Sequence, residues 1–258
     1  MEWNKTKGIL ILVLCIVNIF LYHNLERIQS QKFDLSEDYI ADAVAALENK
    51  NIIIDSEAMP RRRIALPLVE INTKELLYPV ARAALSDSEL EPEMSSDGIL
   101  FSNENGVFLL RSDIDFTFRP TAGKPEFADI LSKAGYKEKN YEKDAAGGIR
   151  ILINSVKVEG CRITWDDGEY TGTLINPALE TFKYVDLMDP VNALLRFADY
   201  ANLTDMGIQT VTAVDGIYIL EQEGLFKLLT AAPAYKITSN ELAYLVDAVS
   251  GEIKIYVN

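Results

Sequence analysis

Histidine is nearly missing from this sequence: His23 is the single one in 258 residues. Its place near the amino terminus removes Ser-His-Asp triads, Cys-His dyads and multi-histidine zinc sites from the rest of the chain. Cysteine is almost as scarce. Only Cys15 and Cys161 occur, far apart and with Cys15 inside an apolar run, so no internal disulfide is expected and a disulfide-dense secreted scaffold is excluded. The phosphate and acyl-transfer signatures are absent as well: no Walker loop, no G-x-G-x-x-G and no Ser-x-x-Lys. "DIDFTFRPTAGK" opens like a calcium loop with Asp-x-Asp but lacks the later oxygen ligands and the central glycine. What the chain has in excess is carboxylate, 39 acids against 25 bases for a net charge of −14. Abundance singles out no pair for glycosidase-type acid–base work. No catalytic, cofactor-binding or metal-ligating residue is therefore assigned, no small-molecule substrate is expected, and the charge opposes nucleic acid.

Charge is also missing from one stretch. From Gly8 to Leu25 no side chain is fully charged if His23 is neutral, and at 1.5 Å per residue such a helix spans about 27 Å, close to the ~30 Å hydrocarbon thickness. The following "YHNLERIQSQ" offers no small-residue cleavage site, so the run reads as a retained anchor rather than a signal. Lys5 and Lys7 before it, with Trp3 and Tyr22 near its ends, predict a cytoplasmic residue 1–7 segment, a transmembrane helix over 8–25, a stalk over 26–35 and an extracytoplasmic domain over 36–258 at the cell membrane.

Within 36–258 three segments place apolar residues at i, i+3, i+4, i+7: Ile40, Ala43, Val44 and Leu47; Phe127, Ile130, Leu131 and Ala134; Val191, Leu194, Leu195 and Ala198. Ser36, Lys124-Pro125 and Asp189-Pro190 mark their starts and Gly135 closes the second. Four hairpins are expected, about Asn105-Gly106, Asp167-Gly168, Asp215-Gly216 and Ser250-Gly251. Helices interrupting antiparallel hairpins predict an α+β fold. The polar run 137–148 reads as a flexible divider between candidate lobes 36–140 and 148–258, with 86–97 a second flexible segment.

Two features stand apart. Asn18 lies within the apolar run, where an amide either faces lipid as a tolerated polar residue or hydrogen-bonds across to another helix. Arg61, Arg62 and Arg63 concentrate positive charge in an acidic domain, either as a solvated turn or as a contact for an acidic partner patch.

The opening "MEWNKTKGILILVLCIVNIFL", the segments "LSEDYIADAVAALENKNIIID" and "MPRRRIALPLVEIN", and the tail "PAYKITSNELAYLVDAVSGEIKIYVN" together resemble the YycI family of Gram-positive bacteria. The resemblance implies a single-pass regulator that binds a sensor histidine kinase of the WalK or YycG kind, with a YycH-like companion, in cell-wall homeostasis. It carries no catalytic residue and no cofactor. The closing "YLVDAVSGEI" also resembles the last strands of PepSY-type domains, with Asp247, Ala248, Gly251 and Glu252 in the turn; that likeness implies a peptidase inhibitor or chaperone module as the alternative.

Overall fold

The computed structural model describes residues 7, 14–15, 17–19, 21, 34–55, 57–71, 77–175, 180–223 and 228–256. In chain order these form α1 (Glu37–Glu48), β1 (Ile52–Ile54), β2 (Leu68–Ile71), α2 (Tyr78–Ala84), β3 (Glu93–Ser95), β4 (Gly98–Asn103), β5 (Gly106–Leu110), β6 (Asp115–Pro120) and α3 (Phe127–Lys133). A 3-10 turn (Glu138–Asn140) follows, then β7 (Tyr141–Lys143), β8 (Ile149–Ile153), β9 (Val156–Asp166), β10 (Glu169–Thr173), β11 (Glu180–Lys183), α4 (Pro190–Leu203), β12 (Gln209–Glu223), β13 (Leu228–Ser239), β14 (Leu242–Asp247) and β15 (Ile253–Tyr256).

This corrects the expected α+β arrangement of separate hairpins and packing helices behind a transmembrane helix. The strands join in one mixed sheet of 15, along the order β11-β2-β13-β12-β9-β10-β6-β5-β4-β3, with β1, β14, β15, β8 and β7 attached beside that path. Among the described residues two pairings are parallel, β1 with β12 and β9 with β12. The second makes one sheet out of two, because β9 bulges between its pairings with β8: Arg150 faces Arg162 but Leu152 faces Lys157. Val158 and Glu159, released from β8 at that bulge, pair instead with Tyr218 and Ile219 of β12. An insertion in one strand bends it and ends local pairing, and here the bend hands the strand to a second neighbour.

The expected membrane-spanning helix over 8–25, and with it the single-pass location at the cell membrane, is not shown. Among the described residues no helix is long and apolar enough to cross a membrane. Of residues 8–25, only 14–15, 17–19 and 21 are described, all helical; the other positions, the 1–6 part of the cytoplasmic segment and most of the 26–35 stalk lie outside the described residues.

Turn chemistry decided which hairpins were legible. Asp167 and Gly168 both take positive φ, 46° and 81°, and connect Asp166 to Glu169 in a two-residue loop. The Asn105-Gly106 hairpin forms with Glu104-Asn105 in the loop, and the Ser250-Gly251 turn links β14 to β15. Asp215-Gly216 is no turn. It lies inside β12, opposite Lys236 and Tyr235, and the missing side chain makes room for Ile64, whose Cγ2 would stand 2.5 Å from a Cβ there. The true turns on either side of β9 and β13 include Asn154-Ser155 and Asn240-Glu241, all four residues left-handed without glycine.

The three predicted helices are present. Ser36 caps α1 by accepting from the Tyr39 N–H at 3.3 Å, and Asp189 caps α4 by accepting from the Asn192 N–H at 2.9 Å. Helix α3 starts at Phe127, later than its proline signal, and α2 was not anticipated. The segment 137–148 carries the 3-10 turn and β7, so it belongs to the sheet rather than dividing it.

One face of the β12–β13 ribbon carries two cores in succession. Tyr218, Leu229 and Ala231 belong to a core with β4–β6, β8–β10, α2 and α3, whereas Val211, Tyr235 and Ile237 belong to a core with α1 and α4. These clusters draw on the middle of the chain and on its two ends, and do not coincide with lobes 36–140 and 148–258. On the opposite face Ile217, Ile219, Ala232, Ala234 and Leu245 form a smaller cluster with Leu68.

Candidate interaction surfaces

A concavity lies beside the bulge in β9. A cavity of about 240 Å³ is lined by Arg150, Lys157, Glu159, Cys161, Arg162 and Lys236. Four cations converge there in an acidic protein, because the Asn154-Ser155 turn folds β8 onto β9 and sets Arg150 against Arg162. Each has an acid beside it. Asp144 accepts from Arg162 at 2.7 Å and lies 3.6 Å from Arg150; Lys157 lies 3.5 Å from Glu142, and Lys236 donates to Glu159 at 2.9 Å. The cluster locks the bulge by charge pairing. Burial pushes the Cys161 thiol up to about 12, with the Asp115 charge adding to it, so the sulfur stays protonated at neutral pH and is no nucleophile. Sequence reading missed this convergence because its members are up to 94 positions of chain apart in separate strands, from Glu142 to Lys236.

The three arginines are not equivalent. Arg61 donates to Glu37 at 3.0 Å, while its carbonyl accepts from the Leu35 N–H at 2.9 Å. Arg62 donates to Asp34 at 2.7 Å beside an isolated bridge between the same two residues. Both therefore tie the segment before α1 to the loop before β2, although exposed pairs of this kind contribute little stability. Arg63 remains exposed, near Tyr39 and Tyr235, whose hydroxyl pKa values are raised by burial against the opposing pull of its charge. Asn18 is exposed within the described helical positions; the helix pairing expected of it depended on the membrane span.

The tail turn is built as its sequence suggested. Asp247 accepts from the Val249 and Ser250 N–H groups at 2.7 and 2.6 Å, and Gly251 has φ 74°. A Cβ on Gly251 would stand 2.9 Å from the Met188 methyl, so the turn closes against the segment leading into α4. Beside it, a shallow hollow of about 580 Å³ runs along α4 past Asn192, Arg196, Asp199 and Val249.

Among the described residues no group of three or more His, Cys, Asp or Glu side chains is placed to hold a metal.

Comparison with known proteins adds little. No family model and no curated protein matches the chain. An uncharacterized protein from Eubacterium rectale ATCC 33656 has a solved structure similar to this one at 11% sequence identity and a TM-score of 0.40, over 80% of this chain and 86% of that one.

Proposed function

We propose that this protein acts by binding another protein rather than by chemistry of its own. The observation that carries this reading is the fate of its charged and apolar groups. The cations of the cavity beside β9 pair with neighbouring acids, while large apolar side chains stay exposed on regular backbone, among them Met94 on β3, Leu203 at the end of α4 and Ile255 on β15. A ligand site concentrates unspent polar groups in a pocket, and a docking protein keeps apolar groups on its outside. The resemblance to the YycI family makes a sensor histidine kinase of the WalK or YycG kind, with a YycH-like companion, the partner class, and regulation of cell-wall homeostasis the role.

The ordered Asp247 turn favours a second reading, the PepSY-like peptidase inhibitor or chaperone module. Titration of the full chain against a purified kinase ectodomain and against a secreted metallopeptidase, by calorimetry, separates the two. Saturable kinase binding supports the first reading, peptidase binding supports the second, and binding to neither overturns both.

A further inference from the structure

Helices α1 and α4 run in parallel. Tyr39 near the start of α1 donates to the cap carboxylate of α4, Asp189, at 3.3 Å, and Lys50 just past the end of α1 pairs with Asp199 in the last turns of α4. Both helices thus direct their C-terminal carbonyls, and the negative ends of their dipoles, to one end of the sheet. Neither has a basic residue in its last turn. Each chain leaves its helix through a left-handed residue, Asn51 at φ 60° and Asp205 at φ 52°.

The sheet brings two further pieces to that end. Strand β1 registers on the first residues of β12, Ile53 opposite Thr210. The β13–β14 turn folds back on the same place: Asn240 accepts from the Thr210 N–H at 3.0 Å and donates to the Ile208 carbonyl at 3.1 Å. Beneath them Ser239, fully buried, donates to Gln209 at 3.1 Å, and Gln209 donates to the Met206 carbonyl at 2.9 Å. Close to this hydrogen-bonded base three large apolar side chains are exposed to solvent, Leu203 at 86%, Ile208 at 65% and Leu242 at 49%, while Ile53 projects from the opposite face of the sheet, since its neighbours Ile52 and Ile54 face the helices. The same segments carry the exposed carboxylates Glu48, Asp199, Asp205 and Glu241, and the Lys50 ammonium among them is held by Asp199.

We infer that this end of the molecule is a docking surface for a cationic amphipathic segment of a partner protein, with apolar anchors on Leu203, Ile208 and Leu242 and lysines or arginines on the acidic rim. Charge complementarity selects the occupant, since an acidic segment or nucleic acid meets two helix C-termini and an excess of carboxylates. The inference rests on the binding-protein reading but not on the partner being a kinase.

The probe is a labelled amphipathic peptide of about 16 residues, alternating leucine and lysine faces at helical spacing, with a leucine–glutamate counterpart of the same pattern. Binding to the full chain is followed by fluorescence anisotropy. The lysine peptide binds saturably and the glutamate peptide does not, and moving from 50 to 300 mM salt weakens the complex by about 3- to 10-fold. Leu203→Ser with Ile208→Ser lowers affinity by about 10-fold or more, as removal of central apolar anchors does. Asp205→Asn with Glu241→Gln lowers it by about 3-fold or more, while Asp97→Asn with Glu104→Gln, the same charge change in other turns, leaves it intact. Equal losses from the two charge pairs, or no loss from the apolar pair, overturn the inference, because attraction is then general to an acidic protein. A protein partner that still binds the Leu203→Ser, Ile208→Ser variant with unchanged affinity also overturns this surface while leaving the binding-protein reading standing.

Discussion

The core enclosed by β4, β5, β6, β9, β10 and the seven-residue helices α2 and α3 is closed by aromatic rings, whereas the core beneath α1 and α4 is closed by alanines and aliphatic side chains. In the first, Phe116 stacks between Phe108 and Phe127 at 5.0 and 5.4 Å, and Tyr170 meets Phe127 at 4.8 Å and Trp165 at 4.6 Å. In the second, Ala193, Ala198 and Ala201 let α4 lie close on the sheet, where Phe197 meets Tyr244 at 4.9 Å. A seven-residue helix has too few internal hydrogen bonds to offset its nucleation and exists only where a surface supplies the rest. The ring core makes its helices; the other core receives helices of 12 and 14 residues that are already capped and striped.

Matched truncations test how separate the two cores are. Phe116→Ala and Phe197→Ala each remove a side chain that is at most 2% exposed, and each should cost about 3–5 kcal/mol in urea unfolding. Because both cores share the β12–β13 ribbon, each variant should lower one common transition. Two transitions, each moved by only one of the variants, would break the picture of a single cooperative sheet.

Next in size is the ribbon itself. Gly216→Ala places a methyl against Ile64 and should cost about 1–3 kcal/mol, the range for overpacking. Ile64→Ala removes the opposing group, so the double variant should be more stable than the sum of the single losses predicts, a coupling that a double-mutant cycle reads directly. Strict additivity would show that the glycine serves some purpose other than Ile64.

Legibility follows the same division. The long striped helices with Ser36 and Asp189 caps were readable because their period and their caps are local. Helix α2 was not: Leu77, Val80, Ala81 and Leu85 are buried, but about two turns of apolar residues cannot be told from a strand by period alone. Asn154-Ser155 and Asn240-Glu241 carry no glycine signal, although asparagine tolerates the left-handed region, and at Asp215-Gly216 the dipeptide that usually marks a turn served close packing instead. The parallel joining of β9 to β12 depends on residues 60 positions apart, Val158 and Tyr218, which no local pattern reports. Of the candidate contacts, Arg61 and Arg62 pair within the chain, with Glu37 and Asp34, acids more than 20 residues earlier that no local pattern links to them. The acidic apolar end near Leu203 was invisible in sequence because three separated segments build it, 48–53, 199–210 and 239–242.

The helix core offers a finer test through its caps. Asp189→Ala should cost about 1 kcal/mol, since it removes an acceptor for the Asn192 N–H at 2.9 Å as well as the partner of Tyr39. Ser36→Ala should cost less, its bond being longer at 3.3 Å. Thermal unfolding of the two variants gives the order, and a larger loss at Ser36 would mean that α1 rather than α4 anchors this core.

The smallest effect belongs to the ring side and appears only in acid. Burial raises the pKa of Asp144, but hydrogen bonds from the Gly148 N–H and Arg162, with the Arg162 charge, outweigh it and hold the carboxyl below its ordinary value. A carboxyl lowered in the folded state contributes stability that is fully present above its unfolded pKa, about 3.9, and that is lost as pH falls through the lower folded value. Protonation removes the anion that Arg162 and Arg150 share at 2.7 and 3.6 Å, so the bulge of β9 loses its charge lock. Asp144→Asn keeps an acceptor for Gly148 and removes the charge at every pH. The gap in unfolding midpoint between wild type and Asp144→Asn should therefore be constant from pH 7 to about 5 and narrow from there toward pH 3. A gap that stays the same across that range would mean that shape rather than charge holds Asp144 in place, and that the parallel joint between the two halves of the sheet does not depend on its cations.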